Sequence, residues 1–155
     1  MATTTSPRAF CRFFAWQWLL PLLAVSAACD TEPAPVAPAF FPAAAATEWT
    51  EVRGCRFSVE HDGVHIRVVA DAVAAAPYLA AKYPLPMGSR VVKVEYDDAK
   101  CARRVGFTAM RKGSAGLWEW QRTDANAAVV TVDTARCAGC HKSSCGATDW
   151  VCTQP

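Results

Sequence analysis

The feature that most constrains the fold of this chain is a five-residue string close to its end, Cys137-Ala138-Gly139-Cys140-His141. Two thiols separated by two residues and followed at once by a histidine form the signature of covalent c-type haem attachment. Each thiol can bond one vinyl group of a porphyrin, and the histidine can bind the iron. We therefore predict haem c attached through Cys137 and Cys140, with His141 as the iron ligand.

Other chemistries also use a pair of cysteines at this spacing. A structural zinc site needs a second pair of ligands at suitable spacing, and the remaining cysteines give no clean one. A redox-active dithiol and a plain structural pair stay open as well, because the chain has eight cysteines. The histidine directly after the second thiol favours haem over each of these alternatives.

The N-terminus has the pattern of a bacterial export signal. Arg8 and Arg12 precede an apolar run over residues 13–28 that ends in small residues. The run is shorter than the roughly 20 apolar residues of a membrane span. Cys29 then resembles the cysteine of a lipoprotein cleavage box, although Ser26 stands where a branched aliphatic residue is usual. Lipidation at Cys29 and ordinary signal cleavage nearby both stay open, and both predict a protein on the periplasmic side of a bacterial membrane.

The number of cysteines agrees with an exported protein. One cysteine leaves with the signal, Cys29 is the lipid candidate, and the haem takes two. The four that remain are typical of two disulfides in an oxidising compartment. We favour Cys55 with Cys101 and Cys145 with Cys152, because the second pair would close a short loop that braces the haem segment. Four cysteines allow three connectivities, so the other two pairings stay open.

The charge balance argues against nucleic acid as a partner. The chain has 16 basic and 14 acidic side chains, and loss of the two signal arginines would make these numbers equal. Phosphate backbones are bound by clustered lysine and arginine. The nearest approach to a cluster is the Arg103-Arg104 pair, so we expect no nucleic-acid partner.

Composition divides the chain into three parts. Residues 1–28 are the predicted signal peptide, residues 29–48 a predicted Ala/Pro-rich linker, and residues 49–155 a single predicted haem domain. Four prolines favour an extended backbone in the linker. The Phe40-Phe41 pair within it is expected to dock on the surface of the domain.

The haem domain has the pattern of an α+β fold, mainly antiparallel β-sheet with one main helix and a C-terminal haem-attachment segment. Residues 51–60 and 64–69 are predicted strands joined at Asp62-Gly63, a strong hairpin signal. A helix is predicted over residues 71–82, with Asp71 as its N-cap and Pro77 as a poor fit. Further strands are predicted over residues 89–96, 105–112, 117–122 and 127–132, and the haem motif on a short helix or tight turn beginning near Asp133.

A haem motif at the end of a β-rich chain differs from the small helical cytochromes c, which usually carry it near the N-terminus. The chain resembles the cytochrome P-460 family, which includes the β-sheet type of cytochrome c-prime. The blocks that carry the resemblance are His65-Ile66-Arg67, residues 87–95, Trp118-Glu119-Trp120, residues 137–142 and residues 148–151. In order and spacing they cover about residues 60–153.

The resemblance implies a five-coordinate haem on an antiparallel sheet, usually in a homodimer, with an open distal face for small nitrogen species. It implies that Lys93 matches the lysine that some members join covalently to the porphyrin, and that Arg67 matches a distal arginine. Both would then be catalytic residues of a hydroxylamine-oxidising member. In the family a distal carboxylate is tied to hydroxylamine turnover, and the matching position here is on or near Phe107. An aromatic residue at this position is similar to the gas-binding c-prime relatives.

The residues themselves leave these roles open. Period-two alternation puts Arg67 and His65 on the face of their strand opposite its apolar residues. Arg67 is equally compatible with a solvent-facing position, and Lys93 with an edge lysine that discourages aggregation. His65 and His61 are weaker candidates for a sixth iron ligand.

Three functions therefore stay open. We favour an exported c-type haem protein that binds nitric oxide or a related small ligand. The alternative is a hydroxylamine-oxidising enzyme, which Phe107 disfavours because the oxidation needs a base within reach. An electron-transfer cytochrome with a redox partner is the second alternative, and it would favour a strong sixth ligand. No methionine is obviously placed for that position, but Met87 and Met110 both stay open.

Overall fold

The computed structural model describes residues 37–131 and 135–153, so the predicted signal peptide, Cys29 and Asp133 lie outside the described residues. In chain order the elements are α1 (Ala45–Glu48), β1 (Thr50–Ser58), β2 (Val64–Ala70), α2 (Ala75–Leu79), β3 (Arg90–Tyr96), β4 (Arg104–Lys112), β5 (Trp118–Asp124), β6 (Val129–Thr131) and α3 (Ala135–Cys145). Two 3-10 turns cover Val59–His61 and Gly146–Thr148. No helix within the described residues is long and apolar enough to cross a membrane.

The six strands form one sheet in the order β1 to β6, and each neighbouring pair is antiparallel. Consecutive strands can pair in this way because short connections suffice between antiparallel neighbours. At the turn between β1 and β2, Asp62 and Gly63 take left-handed φ angles of 61° and 72°, which their residue types tolerate. The prediction of an α+β fold with an antiparallel sheet and one main helix is confirmed, but the main helix is α3 and not the helix predicted over residues 71–82.

The strand register separates the sheet into two faces. Val68 pairs with Lys93, which pairs with Thr108, and residues directly opposite each other point to the same side. We call this side the helix face, because residues of α3 and the segment after it pack against it. Arg67, Val94 and Phe107 form the next row, which points to the other side. We call that side the N-terminal face, because α1 packs against it.

The N-terminal face carries an apolar cluster that includes residues of the predicted linker. Phe41 is 4% exposed and its ring lies 5.2 Å from that of Phe107. Ala45 and Ala46 are buried in the same cluster. The folded part of the chain therefore begins before residue 49, and Phe41 enters the core rather than docking on its surface.

Several predicted elements are shorter in the structure, including a strand and the predicted helix. The strand predicted over residues 51–60 ends at Ser58, because a 3-10 turn follows it. The helix predicted over residues 71–82 is limited to Ala75–Leu79. The N-cap of this helix is Ala74 and not Asp71. Asp71 instead closes the turn before the helix, where its Oδ1 accepts a hydrogen bond from the Ala74 amide at 3.0 Å. Pro77 is tolerated because it lies in the first turn, where no helical donor is lost.

Two disulfides join the pairs that the sequence favoured. The sulfur atoms of Cys55 and Cys101 are bonded, as are those of Cys145 and Cys152. The first links β1 to the loop after β3, and the second closes a short loop directly after α3. The two cysteines of the haem motif lie outside both disulfides.

Candidate functional site

The haem motif lies within α3. Residues at positions i, i+3 and i+4 of a helix share one face, so Cys137, Cys140 and His141 lie together on α3. His141 is 7% exposed and is the buried residue of this helix, whereas Cys137 is half-buried and Cys140 exposed. The histidine therefore points into the protein and the two thiols lie nearer its surface.

The orientation of His141 is set by one hydrogen bond and one ring contact. Its Nδ1 lies 2.7 Å from the carbonyl oxygen of Trp150, and a carbonyl can only accept, so Nδ1 carries the proton. The Nε2 lone pair is then available for a metal, as in histidines that ligate one. The ring of Trp120 meets the imidazole edge-on at 4.5 Å. Burial, and after it the charge of Lys93, lowers the pKa of His141 to about 4, which keeps the imidazole neutral.

The Trp150 carbonyl is held by a braced loop. The Cys145–Cys152 disulfide closes the loop, and inside it Asp149 accepts hydrogen bonds from the Leu85 amide at 2.8 Å and from Lys112 Nζ at 2.6 Å. Asp149 and Trp150 both take left-handed φ angles, 55° and 66°, which residues with side chains adopt at an energetic cost. The disulfide and the two polar contacts hold the loop in this conformation, and thereby hold His141.

Three cavities between the helix face and α3 have both His61 and His141 among their lining residues. We refer to them together as the histidine cavity. Their volumes are about 20, 350 and 460 Å³, and pockets for cofactors usually hold roughly 300–1,000 Å³. The walls combine apolar side chains with a few buried polar groups, and they include Ile66, Val91, Lys93, Glu95, Thr108, Met110, Trp120, Cys137, Cys140 and Val151.

Lys93 and His61 form a hydrogen-bonded pair in this cavity. Lys93 is 8% exposed and its Nζ lies 2.9 Å from His61 Nε2. Burial, followed by the charge of Arg56, lowers the pKa of Lys93 to about 8. Burial and the charge of Lys93 lower the pKa of His61 to about 4. The pair therefore combines a neutral imidazole with an amine that is more easily deprotonated than an ordinary lysine.

A buried carboxylate also reaches the histidine cavity. Glu95 lies on β3 two residues after Lys93, so it points to the same face, and it is 3% exposed. It accepts a hydrogen bond from the Thr108 hydroxyl and lies 3.6 Å from a guanidinium nitrogen of Arg122. Asp62 bridges Arg122 and Arg136 at the same rim. The cavity thus offers a proton-accepting group that is largely shielded from water.

The residues present fit a haem attached through α3. The two thiols and His141 line the same space, and neither thiol is part of a disulfide. The indole Nε1 of Trp120 is buried at the cavity without a hydrogen-bond partner in the described part of the chain, so the wall has a donor to spare for an occupant. Within the described residues a zinc site would lack a second pair of cysteine ligands, because the other described cysteines are bonded to each other in disulfides.

Arg67 and Phe107 do not reach the histidine cavity. Arg67 donates to the Tyr96 hydroxyl at 3.1 Å and to the Ala46 carbonyl at 3.0 Å, and pairs with Glu51 at 3.3 Å. Phe107 is fully buried in the apolar cluster of the N-terminal face. Both residues lie on the N-terminal face, because each is one step out of phase with Lys93 in the paired strands. The structure therefore does not bring them together with Lys93 and His141.

Sequence reasoning missed three features of the site. Glu95 could have been found from its period-two relation to Lys93. His61 was weighed as a weak ligand candidate in a hairpin, whereas the 3-10 turn places it in the cavity. The Trp150 carbonyl has no sequence signal beyond its place between Cys145 and Cys152.

Comparison with known proteins assigns no family. No model of a known protein family matches the chain, and no curated protein matches it.

Proposed function

We propose that this chain is an exported c-type haem protein of the cytochrome P-460 type, which binds nitric oxide or a related small ligand at an open haem face. The observation that carries the proposal is the joint placement of Cys137, Cys140 and His141 on one face of α3, against a cavity large enough for a cofactor. The resemblance of the sequence supports the same function.

The residues of α3 would hold the haem at three points. Cys137 and Cys140 would form the thioether bonds, and His141 Nε2 would bind the iron while its Nδ1 donates to the Trp150 carbonyl. A hydrogen bond from Nδ1 fixes the ring and raises the basicity of the ligating nitrogen. The Cys145–Cys152 disulfide supports that carbonyl. The bound haem would supply the iron at which a diatomic ligand coordinates.

The chain also provides polar groups near such a ligand. Lys93 Nζ is a buried donor, and the Trp120 indole N–H has no partner in the described residues. A donor in a water-poor cavity stabilises a polar ligand more strongly than the same donor in water. These two groups are therefore the candidates for holding nitric oxide in a defined orientation.

Oxidation of hydroxylamine is the second candidate function, and Glu95 is the observation that favours it. The oxidation releases protons as well as electrons, and a base within reach accelerates proton transfer. Glu95 and His61 both line the cavity, so the absence of a base at Phe107 no longer argues against this chemistry. A covalent bond between Lys93 and the porphyrin, as the resemblance implies, would belong to this alternative, with electrons passed to a redox partner.

Haem attachment is tested on the holoprotein matured in a bacterial periplasm. A denaturing gel stained for haem peroxidase activity should show a band for the wild type and no band for the variant with Cys137→Ala and Cys140→Ala. The matched control is the pair Cys55→Ser and Cys101→Ser, which also removes two cysteines and should keep its stained band. A wild-type band without haem would exclude the proposed function.

The choice between ligand binding and oxidation is tested by spectroscopy and turnover. Nitric oxide binding should change the absorption spectrum of the reduced wild type. Consumption of hydroxylamine with an artificial electron acceptor would establish the second function, and Glu95→Gln should then lower kcat by about 100-fold, as loss of a general base typically does. Thr108→Val is the control, since it removes the hydrogen-bond donor to Glu95 but keeps the carboxylate.

The cellular place and assembly are part of the same proposal. Export with lipidation at Cys29 would anchor the haem domain to a membrane on the periplasmic side, and the resemblance supports a homodimer. Cys29→Ser should move the protein from the membrane fraction to the soluble fraction. An unchanged distribution would leave ordinary signal cleavage as the alternative.

A further inference from the structure

We propose that His61 is a second, latent iron ligand in the histidine cavity, and that Lys93 is the positioning residue that keeps it off the iron. This inference depends on the proposed haem function and adds to it a reason why the haem face stays open. It follows from the hydrogen bonds of the two histidines, from the turn that carries His61, and from the place of Lys93 between them.

Both histidines are held in the same tautomer. Lys93 Nζ can only donate, so His61 Nε2, 2.9 Å away, accepts. His61 Nδ1 then carries the proton and donates to the Ser58 hydroxyl at 2.9 Å. His141 has the equivalent arrangement, with Nδ1 donating to the Trp150 carbonyl. Each imidazole therefore has its Nδ1 anchored to the protein and its Nε2 lone pair on the side away from that anchor.

The backbone places the two rings against the same space. His61 ends the 3-10 turn Val59–His61, and the chain then reverses through Asp62 and Gly63. The turn is fastened to α3, because Asp62 accepts a hydrogen bond from Arg136 at 3.3 Å, the residue directly before the first haem cysteine. All three parts of the histidine cavity are lined by both His61 and His141.

A neutral imidazole with an available Nε2 is a strong ligand for haem iron. In this structure the available lone pair of His61 is occupied by Lys93, which the register of β3 fixes on the helix face. While that hydrogen bond persists, His61 cannot coordinate, and the sixth position stays open for an external ligand. Loss of the amine would release His61 to compete for that position.

The test uses holoprotein variants at position 93. Lys93→Leu keeps the volume of the side chain and removes its donor, so we expect a change from a high-spin to a low-spin, six-coordinate haem in the absorption and electron paramagnetic resonance spectra. Lys93→Arg keeps a donor and should stay high-spin. The apparent affinity of the reduced haem for carbon monoxide, used as the probe, should fall about tenfold or more in Lys93→Leu, because the probe must displace His61.

A second substitution in the Lys93→Leu background identifies the ligand. Adding His61→Gln should restore the high-spin spectrum, whereas adding His65→Gln should leave it low-spin. His65 is the matched control because it lies two residues before Arg67 on β2 and therefore points to the N-terminal face. There its ring packs against that of Phe57, with 5.4 Å between the ring centres. The chain has three histidines, and His65 is the one that does not line the histidine cavity.

Each outcome decides the inference. A high-spin Lys93→Leu protein, or a low-spin spectrum that survives His61→Gln, would overturn it. A wild type that is already low-spin through His61 would overturn the role of Lys93. If the Lys93→Leu protein does not incorporate haem, the spectra of the smaller Lys93→Ala variant are measured instead, with the same expected low-spin result. A wild type without covalent haem would instead remove the proposed function, so the two failures are distinguishable by the stained gel.

Discussion

The two faces of the sheet carry the same strands and both carry an apolar cluster, but they differ in the polar side chains that they bury. On the N-terminal face, Phe41, Val94 and Phe107 fill the space under α1 with apolar side chains. On the helix face, Lys93 and Glu95 are buried beside a cavity. A buried charge is costly unless it is paired. The helix face therefore combines its apolar cluster with buried charged groups that line a cavity, whereas the cluster under α1 is apolar.

The largest difference between the two faces is expected when one buried residue on each face is replaced. Phe107→Ala should lower the free energy of unfolding by about 3–5 kcal/mol, because it empties a fully buried site in the apolar cluster. Lys93→Leu should lower it by less, about 1–3 kcal/mol, since the side-chain volume is kept but His61 Nε2 loses its hydrogen-bond donor. Urea unfolding of both variants measures the difference. Equal losses in the free energy of unfolding at the two positions would contradict this difference between the two faces.

The next largest effects on stability are expected from removal of the two disulfides. The Cys55–Cys101 bridge spans 46 residues and the Cys145–Cys152 bridge spans 7. Loop-closure entropy predicts losses of about 4 and about 2.5 kcal/mol when each is replaced by two serines. Only the second replacement should alter the haem spectrum, because only that loop carries the Trp150 carbonyl bound to His141.

The disulfides themselves are checked by thiol labelling. Alkylation of the unfolded, unreduced holoprotein should modify none of the four cysteines Cys55, Cys101, Cys145 and Cys152. Labelling of two or more of them would show that the bonds are not formed in the exported protein. A spectral change in the variant without the Cys55–Cys101 bridge would argue against the separation of the two regions.

Acid should destabilise the protein through the helix face. His61 has a folded-state pKa of about 4, against 6.5 for the ordinary side chain. The unfolded chain therefore binds a proton at a pH where the folded protein does not. The stability is fully present above pH 6.5 and is lost as the pH falls through about 4. We expect His61 to account for about 2 kcal/mol of this loss, after allowance for its partial exposure.

Unfolding in urea between pH 7.5 and 4.5 tests the effect of His61. His61→Gln keeps a polar side chain that cannot titrate, so its stability should fall less over this range than that of the wild type. Identical pH profiles would mean that His61 is protonated as easily in the folded protein as in the unfolded chain.

The smallest effect is expected at Arg67. Its ion pair with Glu51 is partly exposed, and such pairs contribute about 1 kcal/mol or less. Arg67→Gln should therefore lower stability slightly and leave both the haem spectrum and nitric oxide binding unchanged. A change in ligand binding would restore a distal role that its position on the N-terminal face does not support.

Much of this molecule is determined by local sequence pattern. Alternating residues and the Asp62-Gly63 turn signal predict the antiparallel strands, because side chains in a strand alternate with a period of two. The haem motif is a contiguous string, so its presence needs no tertiary information. The favoured disulfide pairing is confirmed. Cys145 and Cys152 are so close in the sequence that their spacing already indicates a bond between them.

The tertiary structure alone decided which face of each strand would be covered, and by what. Period two separates Lys93 from its neighbour Val94, but it does not say which side meets α3 and which meets α1. For that reason Arg67 and Phe107 were expected at the haem and are found on the opposite face, whereas Glu95 and His61 reach the cavity. These positions depend on strand register and on a 3-10 turn, which are fixed by contacts between residues far apart in the sequence and not by the pattern within any one segment.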